Sequence, residues 1–207
     1  MNDHKDFIRT IMDSVRYNFS ELMTINLFWA LLSIPIVTIP PALAGLSYAT
    51  YQIIANQKVT KQTFFIGFKK YFAVSYVWFF SYVLVAGLLL FNIDLGIQQQ
   101  NIGWIGALSG VYWVLLAAWI FFQVYSLPFF VQQEKPKVIM AIRNSVILWL
   151  KNPIFSVILT LVLLVIIIIS TLLPPFWLLI TTSLVTYIAN LAVVFLLSRE
   201  EAKTTNT

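Results

Sequence analysis

Residues Leu22 to Gln57, LMTINLFWALLSIPIVTIPPALAGLSYATYQIIANQ, contain no Asp, Glu, Lys or Arg, and their apolar run is broken by Pro40-Pro41. The rest of the chain decides what can house such a stretch. Of 207 residues, 60% are apolar and 10% are charged, whereas soluble domains carry about 25% charged residues to cover a core. The chain is therefore expected to be an all-α polytopic membrane helix bundle, because a helix satisfies its own backbone groups in hydrocarbon. Proline cannot continue the helical ladder, so Pro40-Pro41 ends one arm and starts another. The arms, Leu22 to Ile39 and Pro41 to Gln57, have 18 and 17 residues, near the lower limit of about 17 for a span. Ser47, Tyr48, Thr50, Tyr51 and Gln52 suit the second arm to packing among helices.

Four further spans follow: Ala73 to Ile93, Ile102 to Val131, Ile154 to Leu173 and Phe176 to Leu197. The second of these is long enough to require a tilt or a kink, and Pro128 is where a kink is expected. Gly106 and Gly110 within it form a GxxxG pair, which permits close helix approach. A polar turn is expected over Asp94 to Asn101, and Pro174-Pro175 turns the last pair. Three amphipathic segments precede the three pairs of spans, over residues 6–22, 58–72 and 135–151, and are expected to lie in the membrane interface. The first has mixed charge and lacks the form of a cleaved leader, so it is expected to persist. Residues 1–198 read as one integral membrane domain and 199–207 as a disordered polar tail.

Charge fixes the expected orientation. With six spans, all 13 Lys and Arg fall on one side, in the first amphipathic segment, the two later ones and the tail. The other side holds Pro40-Pro41, Asp94 to Asn101 and Pro174-Pro175, without a basic residue. The basic side is then cytoplasmic, with both termini inside. A re-entrant hairpin over 22–57 leaves the same loops inside and is the alternative. The order of segments also suggests a threefold internal repeat. Ala55-Asn56 and Ala189-Asn190 each end 15 residues after a Pro-Pro turn, although short matches in apolar sequence arise easily by chance.

The chemistry available is sparse. All eight acids and every base lie outside the apolar segments, His4 is the only histidine, and cysteine is absent. Proton relays, paired acids, activated nucleophiles and clustered metal ligands therefore lack their parts. No enzyme activity, cofactor or metal is expected, and no nucleic-acid partner, because the basic residues sit as short groups between spans. The polar residues at membrane depth are neutral, among them Asn26, Thr38, Gln52, Gln123, Thr160, Thr186 and Asn190. Hydrogen bonding between helices is their default role, and lining a path for a neutral solute is the sharper one. Trp104, Tyr125, Trp149 and Trp177 are expected as interfacial anchors. Asn26, Pro35, Thr38, Pro40, Pro41, Gln52 and Pro128 are the residues where a functional centre is looked for first, since proline in a span frees carbonyls for a neighbour or ligand.

Asn26-Leu27-Phe28-Trp29, Ser33-Ile34-Pro35-Ile36-Val37-Thr38-Ile39, Pro41-Ala42, then Phe64, Phe68-Lys69 and Phe72 resemble the YesL-like family of bacterial integral membrane proteins over the first third of the chain. Pro40 stands where glycine is expected in that family. The resemblance implies a bacterial cytoplasmic membrane protein associated with carbohydrate uptake and utilisation, and it transfers no catalytic residue. An accessory or regulatory role beside a sugar transporter or sensor is the expectation. A small permease or channel for a neutral polar solute is the alternative.

Overall fold

The computed structural model describes residues 3–99 and 103–205, with side chains described except for 3–6, 8, 103–107 and 203–205. The side chains of Lys5, of the anchor Trp104 and of Lys203, the surroundings of Gly106, and the end of the glutamine turn lie outside what is described. Those described form nine α-helices: α1 (Asp3–Tyr17), α2 (Phe19–Ser33), α3 (Ile39–Ile54), α4 (Lys61–Lys70), α5 (Phe72–Gln98), α6 (Gly103–Gln132), α7 (Val138–Lys151), α8 (Pro153–Leu172) and α9 (Thr182–Thr205). A 3₁₀ turn, Ile36–Thr38, joins α2 to α3, and a π-helical turn, Trp177–Thr181, leads into α9. Four helices, α5, α6, α8 and the segment Trp177–Ala202, are long and apolar enough to cross a membrane.

The opening hairpin departs from simple spans. Its arms α2 and α3 have 15 and 16 residues, about 23 Å each at 1.5 Å per residue, short of a hydrocarbon core of about 30 Å. α1 leads directly into α2. Asn18 interrupts the helix with φ −99° and ψ 20°, yet Asn18 N–H still donates to Ser14 O and Leu22 N–H to Asn18 O, both at 3.0 Å. Together α1 and α2 make a bent rod that runs opposite to α9. Phe7 packs on Phe155 and Phe195 with ring centroids 5.0 and 5.1 Å apart, while Leu22 and Ile25 share a core with Ile180 and Tyr187. The expected interfacial helix thus turns Phe7 and Ile11 onto protein, leaving Met12 and Tyr17 exposed.

α3 is the hub. It packs against α2, α4, α5, α6 and α9, and ten of its sixteen residues are buried, Pro40 and Pro41 included. The prolines fit because the first helical turn needs no N–H donors. At its other end Asn56 takes φ 56°, with Gln57 N–H on Gln52 O and Asn56 N–H on Ile53 O, each 3.0 Å. That pairing is the Schellman stop, with asparagine in the left-handed position usually given to glycine. Across α3, a Cβ on Gly45 would stand 3.0 Å from Phe68 N, and one on Gly67 of α4 would stand 2.7 Å from Tyr48 Cβ. The two glycines therefore let α3 and α4 cross backbone to backbone. Just past α4, the buried Tyr71 donates to Val131 O at 2.7 Å, tying the start of α5 to the end of α6. Burial, with Tyr48 and Tyr51 nearby, pushes its phenol up to about 12, so it stays a donor.

The same junction recurs before α2, α5 and α8. Tyr71 N–H donates to Gly67 O and Ser75 N–H to Tyr71 O, while Asn152 N–H donates to Leu148 O and Ser156 N–H to Asn152 O. The side chains of Asn18 and Asn152 repeat one act, each Nδ2 donating to the carbonyl four residues back, at 2.9 and 3.3 Å. Asn18/Asn152, Pro40/Pro174, Pro41/Pro175 and Asn56/Asn190 are all 134 residues apart. The junction therefore extends the suggested repeat, while Asn56 and Asn190 occupy different structural places. Asn56 ends a helix, whereas Asn190 lies inside one.

Three other expectations change. Over Asp94 to Asn101, α5 stays helical to Gln98, whose amide donates to Asp94 Oδ2 one turn back at 2.7 Å. A Cβ on Gly110 would meet nothing within 4 Å, so no helix crosses closely there. The tail 199–207, expected to be disordered, continues α9 as far as Thr205. Lys151 Nζ reaches Glu200 Oε2 at 3.3 Å and holds that extension beside the end of α7.

Candidate functional site

Two buried asparagines organise the polar interior. Asn26, on α2, is fully buried. Its Nδ2 donates to Trp177 O at 2.9 Å and to Leu178 O at 2.8 Å, and its Oδ1 accepts Ser183 N–H at 2.8 Å. A π-turn displaces backbone groups from the ordinary i→i−4 ladder. Here one side chain satisfies three of them, using both its donors and its acceptor. The π-turn begins two residues after Pro174-Pro175, where no backbone N–H is available.

Asn190, on α9, is equally buried. Its Nδ2 lies 3.0 to 3.1 Å from Ser47 O, Ser47 Oγ, Thr50 Oγ1 and Thr186 O, and its Oδ1 accepts Gln132 Nε2 at 3.2 Å. It joins α3, α6 and α9 at one point. Shorter links complete the interior: Trp78 Nε1 to Ser126 Oγ, 2.6 Å; Tyr125 with Ser156, 2.9 Å; and Thr181 Oγ1 to Ser170 Oγ, 2.7 Å. Tyr125 is thus a core residue, 1% exposed, and not the interfacial anchor expected. Trp149 packs on Phe121 and Phe122. Trp29 Nε1, Ser33 Oγ and Thr182 Oγ1 are buried with no partner among the described residues.

The residues singled out from sequence do not converge on one site. Asn26 holds the π-turn. Pro35 starts the 3₁₀ turn at an exposed tip, and Thr38 Oγ1 reaches the carbonyls of Leu32 and Pro35. Pro40 and Pro41 are buried in the first turn of α3, and Gln52 is half-buried near its end. Pro128, inside α6, lines a separate cleft of about 240 Å³ between α5, α6, α8 and α9. Asn190 and the π-turn were not singled out. Asparagine at membrane depth marks the first, and only the polar triplet Thr181-Thr182-Ser183 hints at the second. Among the described residues no group of three His, Cys, Asp or Glu could hold a metal ion.

The profile of a family described as protein of unknown function, DUF624, matches residues 22–93, which run from α2 into α5. No curated protein and no solved structure matches the chain.

Proposed function

We propose that the protein is a non-enzymatic, YesL-like component of the bacterial cytoplasmic membrane that acts by contact with a sugar transporter or sensor in carbohydrate uptake. The observation that carries a contact role is the use of its buried polar groups. Asn26 and Asn190 spend their donors and acceptors on neighbouring helices. The hydroxyls of Thr160 and Thr186 return to their own backbone. A polar solute crossing the bundle would lose water and find few partners, which is costly in hydrocarbon. The carbohydrate setting rests on the YesL resemblance alone.

Partner contact has surfaces to use. α7 leaves Ile139, Met140, Ile147 and Leu150 exposed, and α4 exposes Phe65 and Ile66 between Lys61 and Lys69. The proposed topology has both termini cytoplasmic and four crossings, with the hairpin of α2 and α3 re-entrant. Val37 O accepts the hydroxyl of Tyr76 near the start of α5, which supports a hairpin tip on the side opposite Gln99. It is supported by the placement of all 13 basic residues in the segments outside the spans. It is supported also by the length of the arms, 15 and 16 residues, which fits a hairpin that does not cross. Burial of α3 within protein removes the need for that arm to be long or uniformly apolar.

Mild solubilisation followed by affinity purification of the tagged full chain should recover a sugar-transporter or sensor subunit in stable proportion. Flux of a neutral sugar into liposomes holding this protein alone would overturn the contact role in favour of a permease.

A further inference from the structure

We infer that the cleft between α5, α6, α8 and α9 is a binding site for one acyl chain of a membrane lipid. Tyr125 and Ser156 tie α6 to α8 near the start of α8, and the cleft opens beyond them, lined by Trp78, Leu127, Leu163, Ile167, Val185 and Ala189. Ile120 and Leu164 also line it and are 46% and 43% exposed, so they mark its mouth. The bordering helices are the four long and apolar enough to cross a membrane. The mouth therefore opens at bilayer depth, where the surrounding solvent is hydrocarbon. This step rests on those four helices crossing the bilayer and is independent of any protein partner.

Apart from the Tyr82 hydroxyl and Gln123 Nε2, the side-chain polar atoms of the cleft are already used. Thr160 donates to Ser156 O, Thr186 to Thr182 O, and Trp78 Nε1 to Ser126 Oγ, which in turn donates to Gln123 Oε1. A sugar, with several hydroxyls to satisfy, would find only the Tyr82 hydroxyl and Gln123 Nε2. Left empty, the walls would forfeit dispersion contacts that a neighbouring acyl chain supplies. A methylene chain is flexible, apolar and present at the mouth, and it matches the site in every respect.

The test loads membranes containing the full chain with phosphatidylcholine bearing a diazirine on its acyl chain. The protein is then exchanged into lauryl maltoside and irradiated, and the labelled peptides are mapped by mass spectrometry. Labelling should persist at Leu163, Ile167 and Ala189 and fall at least fivefold at Leu84 and Leu88, which are exposed on α5. Ala189→Phe, which fills the cleft, should abolish labelling of Leu163 and Ile167. Leu164→Trp, at the exposed mouth, gives a second block that leaves the core packing alone. Loss of labelling in the cleft in step with Leu84 and Leu88, or labelling unchanged by either variant, would overturn the site.

Discussion

Asn26 and Asn190 show how a few neutral side chains can hold a membrane bundle together without charge. Each is fully buried and each joins helices distant in sequence. Replacing Asn26 by Leu keeps the size but strands the carbonyls of Trp177 and Leu178 and the N–H of Ser183. The expected loss is about 1–3 kcal/mol, read as a lower unfolding temperature in detergent. Thr24→Val, two residues away and exposed, removes only a bond to Ser20 O within α2 and should change little. The importance of Asn26 was visible in the sequence because asparagine is costly at that depth. Its role was not, because nothing local marks where a π-turn forms 151 residues away. Tyr125 misled for a related reason: an aromatic near the end of an apolar run fits an interfacial belt as well as a core, and only the position of Ser156 decides.

The recurring element is an amphipathic helix joined to an apolar one through a single bent residue, Asn18, Tyr71 or Asn152. Periodicity made all three amphipathic helices readable, because apolar residues at three- and four-residue spacing define a face. It could not say whether that face meets lipid or protein, and α1 meets protein through Phe7. The stop at Asn56 was similarly hidden, since asparagine in the left-handed region is common at helix ends but not required there. The tightest contact between elements is α3 with α4. Gly67→Ala would press a Cβ against Tyr48 and should lower the unfolding temperature by several degrees, whereas Gly87→Ala, with nothing within 4 Å of its Cβ, should not lower it. Equal effects at the two glycines would remove the crossing as a determinant of stability.

At the scale of the molecule, α3 sits inside a wall made by the α1–α2 rod, α4, α5, α6 and α9. The four long helices were evident from hydropathy, because each exceeds the length a bilayer demands. The hairpin was not, because its arms fall short of that length and the bond that fixes its tip comes from Tyr76, outside the apolar run. The proposed arrangement therefore depends most on where the tip at Val37 lies. That residue is 71% exposed, and its carbonyl accepts the Tyr76 hydroxyl at 2.8 Å. The chain has no cysteine, so single substitutions report cleanly on sidedness. With a membrane-impermeant maleimide on intact cells, Gln99→Cys should be labelled from outside, while Val37→Cys, Lys61→Cys and Gln133→Cys should react only after permeabilisation. Labelling of both Val37→Cys and Gln99→Cys from outside would contradict the re-entrant hairpin and require six crossings.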